Sequence, residues 1–250
     1  MPQQYQQVPQ QQQYYENEDD DVYEDEYYQQ IGQTKFYQIA HYQKYFNVTT
    51  FDVLNRLRKS LWPFCSKTTL FVDEDRVDLY GPIWIMLTLI VEIAIVGFIN
   101  YHIDIATMAI EVKGGKIPTS QMAYYSLTKI ARAGFVVIAY FVLNPLLLML
   151  VIKYVLMIPE MQYLWLFAVY GYSFTIFVIT TILNVVPIDW LRWVFLGVSG
   201  LVSLCFIWVE MYTILKGKLN KGISKFIMLC LLLAATHCVF VLALKNYFLT

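Results

Sequence analysis

Five apolar runs set the terms on which this chain can fold. They cover residues 82–103, 130–152, 163–186, 191–215 and 226–244. Each is long enough for a helix to cross the hydrocarbon core of a bilayer, which takes about twenty residues. The pattern predicts an all-α membrane protein, a bundle of five transmembrane helices. An odd number of spans places the two termini on opposite sides. Of the 250 residues, 58% are hydrophobic and 15% charged, well off the average of soluble domains. The excess is uneven, because most acids and nearly all glutamines precede residue 81. The chain therefore divides into a Gln-, Tyr- and acid-rich tail at 1–34, a juxtamembrane region at 35–81 and a membrane domain at 82–250. The tail has too little aliphatic surface to offset the entropy of ordering, which predicts disorder.

Orientation follows from the basic residues. With the tail in the cytosol, that side holds twelve Lys and Arg, including Lys216, Lys218, Lys221 and Lys225 of the fourth loop, against six on the other. The N-terminus is therefore expected to be cytosolic and the C-terminus lumenal. The first residues lack the basic start, apolar stretch and small-residue cleavage site of a secretory signal, so the first run is read as an uncleaved anchor. The net charge of −1 averages an acidic segment against basic loops and gives no sign of nucleic-acid binding. The fourth-loop lysines suit anionic lipid headgroups, although the orientation bias alone accounts for them. Trp84, Trp190, Trp193, Tyr80 and Tyr163 fall near the ends of the runs, as an aromatic belt does.

Upstream of the first run, "TTFDVLNRLRKSLWP" places Phe51, Leu54, Leu57 and Leu61 on one helical face. Thr49 or Thr50 can cap this helix and Pro63 stops it. Such a helix lies on an anionic membrane surface or docks on the protein's own loops. Tyr28 to Ile31 fits the tyrosine-x-x-apolar pattern that vesicle-coat adaptors read, but a solvated tail is the simpler account. Cys65 sits where a palmitoyl anchor could be added. Cys205, Cys230 and Cys238 lie in apolar runs and read as small hydrophobes. Asp73, Glu74 and Asp75 lack the glycine turn of a calcium loop. His41 and His102 have no visible partners. No phosphate loop, nucleophile elbow or zinc-helix motif is present, so neither catalytic residues nor a cofactor or metal are expected.

Ionisable groups inside spans are functional candidates. Glu210 is near the end of its run and could reach Lys216. Glu92 and His237 both fall roughly 15–17 Å deep on spans entering from the same side. The two could form an intramembrane polar pair, or serve a small-molecule, ion or proton transporter. Asn144-Pro145 frees a backbone carbonyl in the second run and predicts a kink.

The first run opens on "DLYGP", Asp78, Leu79, Tyr80, Gly81 and Pro82, and the third contains "YGYS", with Gly171 and Tyr172. Pro82 suits a first helical turn, and Asp78 lies near the positive end of that helix dipole. Gly81 would permit a tight turn, and Tyr80 would anchor at the headgroups. These motifs resemble those of the Yip domain family, five-span Golgi proteins that interact with Ypt/Rab GTPases. The resemblance extends to Phe36–Pro63, which looks like the family's Golgi and endosomal branch, to "ILNVVP" with "RW" at Ile182–Trp193, and to Thr236–Phe248. It implies a non-enzymatic Golgi membrane protein in vesicle-mediated transport, with cycling to the ER or endosomes open to it. The implied partners are Rab-type small GTPases, sister Yip-family proteins in homo- or hetero-oligomers, and membrane lipids. It also implies that the Asp78–Pro82 joint couples the cytosolic region to the bundle. The Gln-rich tail and Glu92 have no counterpart in the resemblance.

Overall fold

Within hydrocarbon every backbone N–H and C=O must find its partner inside the protein, and a helix provides those partners along its own length. The computed structural model follows that rule. It describes residues 38–43, 45–65, 70, 77–111, 119–158, 161–216 and 223–248, and among these there is no strand. The tail at 1–34, the Asp73–Asp75 acids, the side chains of His41 and Cys65, and Lys218 and Lys221 lie outside the described residues.

The chain divides into two units, Met1–Asn47 and Val48–Thr250. In the first, a short helix α1 (Ile39–Gln43) is followed by a turn in which the Tyr45 N–H donates to the Tyr42 carbonyl at 3.0 Å. The second unit opens with α2 (Thr50–Leu61). Thr49 and Asp52 form a capping box there: the Asp52 N–H donates to Thr49 Oγ1 at 3.2 Å, and the Thr49 N–H to Asp52 Oδ2 at 3.4 Å. Two orphan donors are thereby satisfied. The helix stops at Leu61, two residues before Pro63, which begins a single 3-10 turn, Pro63–Cys65.

Then come α3 (Tyr80–Glu111), α4 (Thr119–Tyr154), α5 (Tyr163–Ser173), α6 (Thr175–Leu183), α7 (Asp189–Leu215) and α8 (Ile223–Phe248). They supply five segments long and apolar enough to cross a membrane: Tyr80–Ile103, Ala131–Tyr154, Tyr163–Leu183, Asp189–Leu215 and Ser224–Lys245. The chain is thus an all-helical, multi-pass membrane protein. The third segment is the central post. Its apolar window is 67% buried, against 22–44% in the other four, and it packs on α2, α3, α4 and α7. From Trp165 to Ser173 only Phe167 is not fully enclosed. The outer helices turn Phe135, Leu143, Leu201, Leu231 and Val239 outward, as lipid-facing surfaces require.

The third run, read from the sequence as one span, is two helices. Phe174 interrupts it with an N–H that bonds back only three residues, to the Gly171 carbonyl at 3.2 Å. The hydroxyls of Ser173 and Thr175 donate to the Tyr170 and Tyr172 carbonyls, each at 2.7 Å. Such back-bonding competes with the helical ladder and bends it. Pro145 lies within α4, and one turn earlier the Val142 carbonyl accepts from the Tyr163 hydroxyl at 3.0 Å.

Candidate functional site at the head of the first span

Asp78 carries a carboxylate at the mouth of α3 and is fully buried. A buried carboxylate is costly unless its oxygens are hydrogen-bonded. Three different elements do this. The Gly81 N–H in the first turn of α3 donates to Oδ1 at 3.1 Å. Arg56 of α2 donates through Nη1 to Oδ2 at 2.8 Å, forming an ion pair whose arginine side chain is 15% exposed. The Tyr172 hydroxyl of α5 donates to the same Oδ2. One carboxylate therefore caps the first span and ties both the amphipathic helix and the central post to it.

The backbones interlock at the same place. A Cβ on Gly81 would lie 2.6 Å from Tyr172 Cζ, inside the tyrosine ring's contact surface. A Cβ on Gly171 would lie 2.7 Å from the Pro82 Cα and 3.0 Å from the Phe141 ring. Each glycine thus leaves room for the other motif. The expected reason for Gly81, a tight turn, is corrected: the residue is helical, and what demands glycine is close approach. Pro82 is the third residue of the helix, where its missing N–H leaves no bond broken. The Leu79 carbonyl accepts the first helical bond, from the Ile83 N–H at 3.2 Å. Tyr80 points away from the interlock, 43% exposed, with its ring 6.2 Å from that of Trp84.

The anticipated Glu92–His237 pair is not formed. Glu92 has no hydrogen-bond partner for Oε2 among the described residues. His237 instead meets Tyr140 of α4, with Nδ1 and the hydroxyl 2.5 Å apart, inside a cage of Tyr140, Phe177 and Phe240 rings. The physical reason is rotation: similar depth does not turn two side chains towards each other, and the α8 face bearing His237 points at α4. Glu210 has the structural role expected of it, with a partner other than Lys216: its Oε2 accepts from the Leu70 N–H at 2.9 Å, at 4% exposure. At the far end of the bundle, Asn100 Nδ2 donates to the Asn184 carbonyl at 3.2 Å, and Arg192 Nε to the Val186 carbonyl at 3.0 Å. The Ile182–Trp193 stretch is thus a structural corner.

Sequence reasoning missed Arg56, Leu70 and Tyr140. A signal existed for the first: a carboxylate at a span entrance calls for a cation, and α2 carries one on its polar side. Among the described residues no group of His, Cys, Asp and Glu could hold a metal ion.

The chain is 28% identical over 214 residues, 85% of its length, to a Dictyostelium discoideum protein named "Protein YIPF1 homolog". The similarity supports the Yip family. The matched stretch covers 56% of that relative's own length, so this chain spans a little over half of it. No protein-family model matches, and no solved structure matches.

Proposed function

We propose that the protein is a non-enzymatic Golgi membrane protein that supports vesicle-mediated transport by binding Rab-type GTPases and sister Yip-family proteins. The N-terminus faces the cytosol in this reading. One observation carries it: the carboxylate of Asp78 joins α2, the first span and the central post through Arg56, Gly81 and Tyr172. A cytosolic partner that grips the region of α2 would thereby act on the bundle, and a partner inside the membrane would set the position of α2. The likeness to the Dictyostelium protein supports the same direction.

The test is purification of the full chain from cells in mild detergent, comparing co-purified proteins and Golgi staining among the native protein, Gly81→Val and Tyr80→Ala. Protease protection first confirms five-span insertion. Gly81→Val, which drives a side chain into Tyr172, is expected to lose GTPases and family members and to leave the Golgi. Tyr80→Ala, at an exposed position, is expected to change both less. An unchanged partner list in correctly inserted Gly81→Val would show that the joint is structural only.

A further inference from the structure

The helix α2 docks the wrong way round for a helix in water. An amphipathic helix on a soluble surface buries its apolar stripe and exposes its charges. Here the side facing the bundle is Val53, Arg56, Leu57 and Ser60, with Ser60 2% exposed and Arg56 paired to Asp78. The outward side carries Phe51 at 70% and Leu54 at 58% exposure, and the row continues through Trp62 at 65% and Phe64 at 74%. The sequence placed Phe51, Leu54, Leu57 and Leu61 on one face. The structure splits them, leaving Leu57 and Leu61 half-buried.

Depth supplies an independent observation. Phe64 lines an apolar cavity of about 320 Å³ together with Cys205, Trp208, Val209, Tyr212 and Phe226. Cys205 lies ten residues before Leu215, the end of α7, about 15 Å along the helix. Similarly, Pro82 packs on Gly171, eight residues and about 12 Å into α5. The end of α7 and the start of α5 are on the same side of the bundle, because successive spans alternate in direction. The cavity beside Phe64 thus runs from Tyr212 and Phe226, about 4.5 Å from their helix ends, to Cys205, and the first span begins below the level at which α5 starts, so both lie within one leaflet of a hydrocarbon core about 30 Å thick.

We propose that α2 and the Pro63–Cys65 turn are embedded in one leaflet of the bilayer, held to the bundle by their polar side and covered on the outside by lipid. The exposed aromatic and leucine row is continuous with the lipid-facing surface of α7 and α8 around Trp208 and Phe226. Its charges fit the same setting. Arg56 is neutralised by Asp78, and Arg58 is an exposed base on the outward side itself, one to two turns along from Leu54 and Phe51, where a long basic side chain can reach out to phosphate headgroups. Asp52, the acid of this helix, is engaged in the cap. The surface thus offers apolar contact with a positive edge, the chemistry of an interfacial helix on anionic phospholipid. The segment acts as a sixth membrane-contacting helix that does not cross.

The experiment places a genetically encoded environment-sensitive fluorophore at Leu54, at Phe64 and, as a water-exposed control, at Gln162. The full chain is reconstituted in phosphatidylcholine–phosphatidylserine vesicles. At 54 and 64 the emission is expected to be blue-shifted and quenched severalfold more by brominated lipid than by iodide, with the reverse at 162. Iodide quenching at 54 and 64 equal to that at 162 would overturn the proposal. So would quenching by neither agent, which would mean that a second protein chain covers the row. The conservative Trp62→Phe gives a second readout without a bulky label: the share of tryptophan emission quenched by brominated lipid must fall, and no fall would also overturn it.

Discussion

Two buried polar sites in this bundle are built on opposite plans. At the joint, the Asp78 carboxylate accepts from three donors on three elements, and both of its oxygens are engaged. In the interior, Tyr140 and His237 make one contact, while His237 Nε2 and Asn144 Nδ2 have no partner among the described residues, and Glu92 Oε2 has none either. A fully satisfied site transmits force, since moving one element breaks bonds to the other two. A half-satisfied one pins two helices and leaves latitude around them. The first is the arrangement expected of a coupling device, and the second that of helix packing with polar contacts.

The sharpest way to break that contrast is Asp78→Ala. It takes the carboxylate partner from half-buried Arg56 and removes the acceptor for Gly81 and Tyr172. Loss of one partner of such a pair costs about 3–5 kcal/mol, so thermal unfolding in detergent should drop steeply or inserted protein should fail to accumulate. A change of less than about 1 kcal/mol would mean that the joint carries no more than an exposed ion pair.

Next in size is the interlock. Gly171→Ala forces a methyl group against the Pro82 backbone, and overpacking of this kind costs about 1–3 kcal/mol. Gly200→Ala is the comparison, because the nearest atoms to its added carbon belong to the Val241 side chain, the closest at 2.8 Å, and not to a backbone. Thermal midpoints should rank Gly171→Ala below Gly200→Ala. The reverse order would place the tight contact elsewhere.

A pair of double-mutant cycles then separates the interior contacts. Tyr140→Phe with His237→Leu should show a coupling of about 0.5–3 kcal/mol, whereas Glu92→Gln with His237→Leu should be additive within about 0.5 kcal/mol. Unfolding in mild detergent provides the measurement, and strong coupling in the second cycle would restore the Glu92–His237 pair. The smallest effect expected is none at all. Asn47-Val48-Thr49 is a glycosylation sequon, and with the N-terminus in the cytosol it stays unmodified, because glycosyl transfer occurs in the lumen. A mobility shift on glycosidase treatment, lost in Asn47→Gln, would turn the whole assembly over.

The local features were legible in the sequence. A threonine cap, a proline stop and an apolar run of span length all act through neighbours along the chain. Pro63, a threonine cap at Thr49 or Thr50 and five segments of span length accordingly read from periodicity and composition, whereas the Asp52 half of the capping box and the break at Phe174 did not. The motifs around Asp78 and Gly171 were also visible as motifs, although the reason for Gly81 was not, because a close approach depends on what arrives from ninety residues away.

What the tertiary structure alone decided is which polar groups meet. Arg56 and Asp78 are 22 residues apart, Asp78 and Tyr172 are 94, and Tyr140 and His237 are 97. Depth along a helix can be counted from the sequence at 1.5 Å per residue. The rotation of each helix about its axis cannot, because it is set by how all the side chains of its neighbours pack. Glu92 and His237 lie at a common depth and still do not pair, since five nearly uniform apolar cylinders carry little local information about which face turns inward.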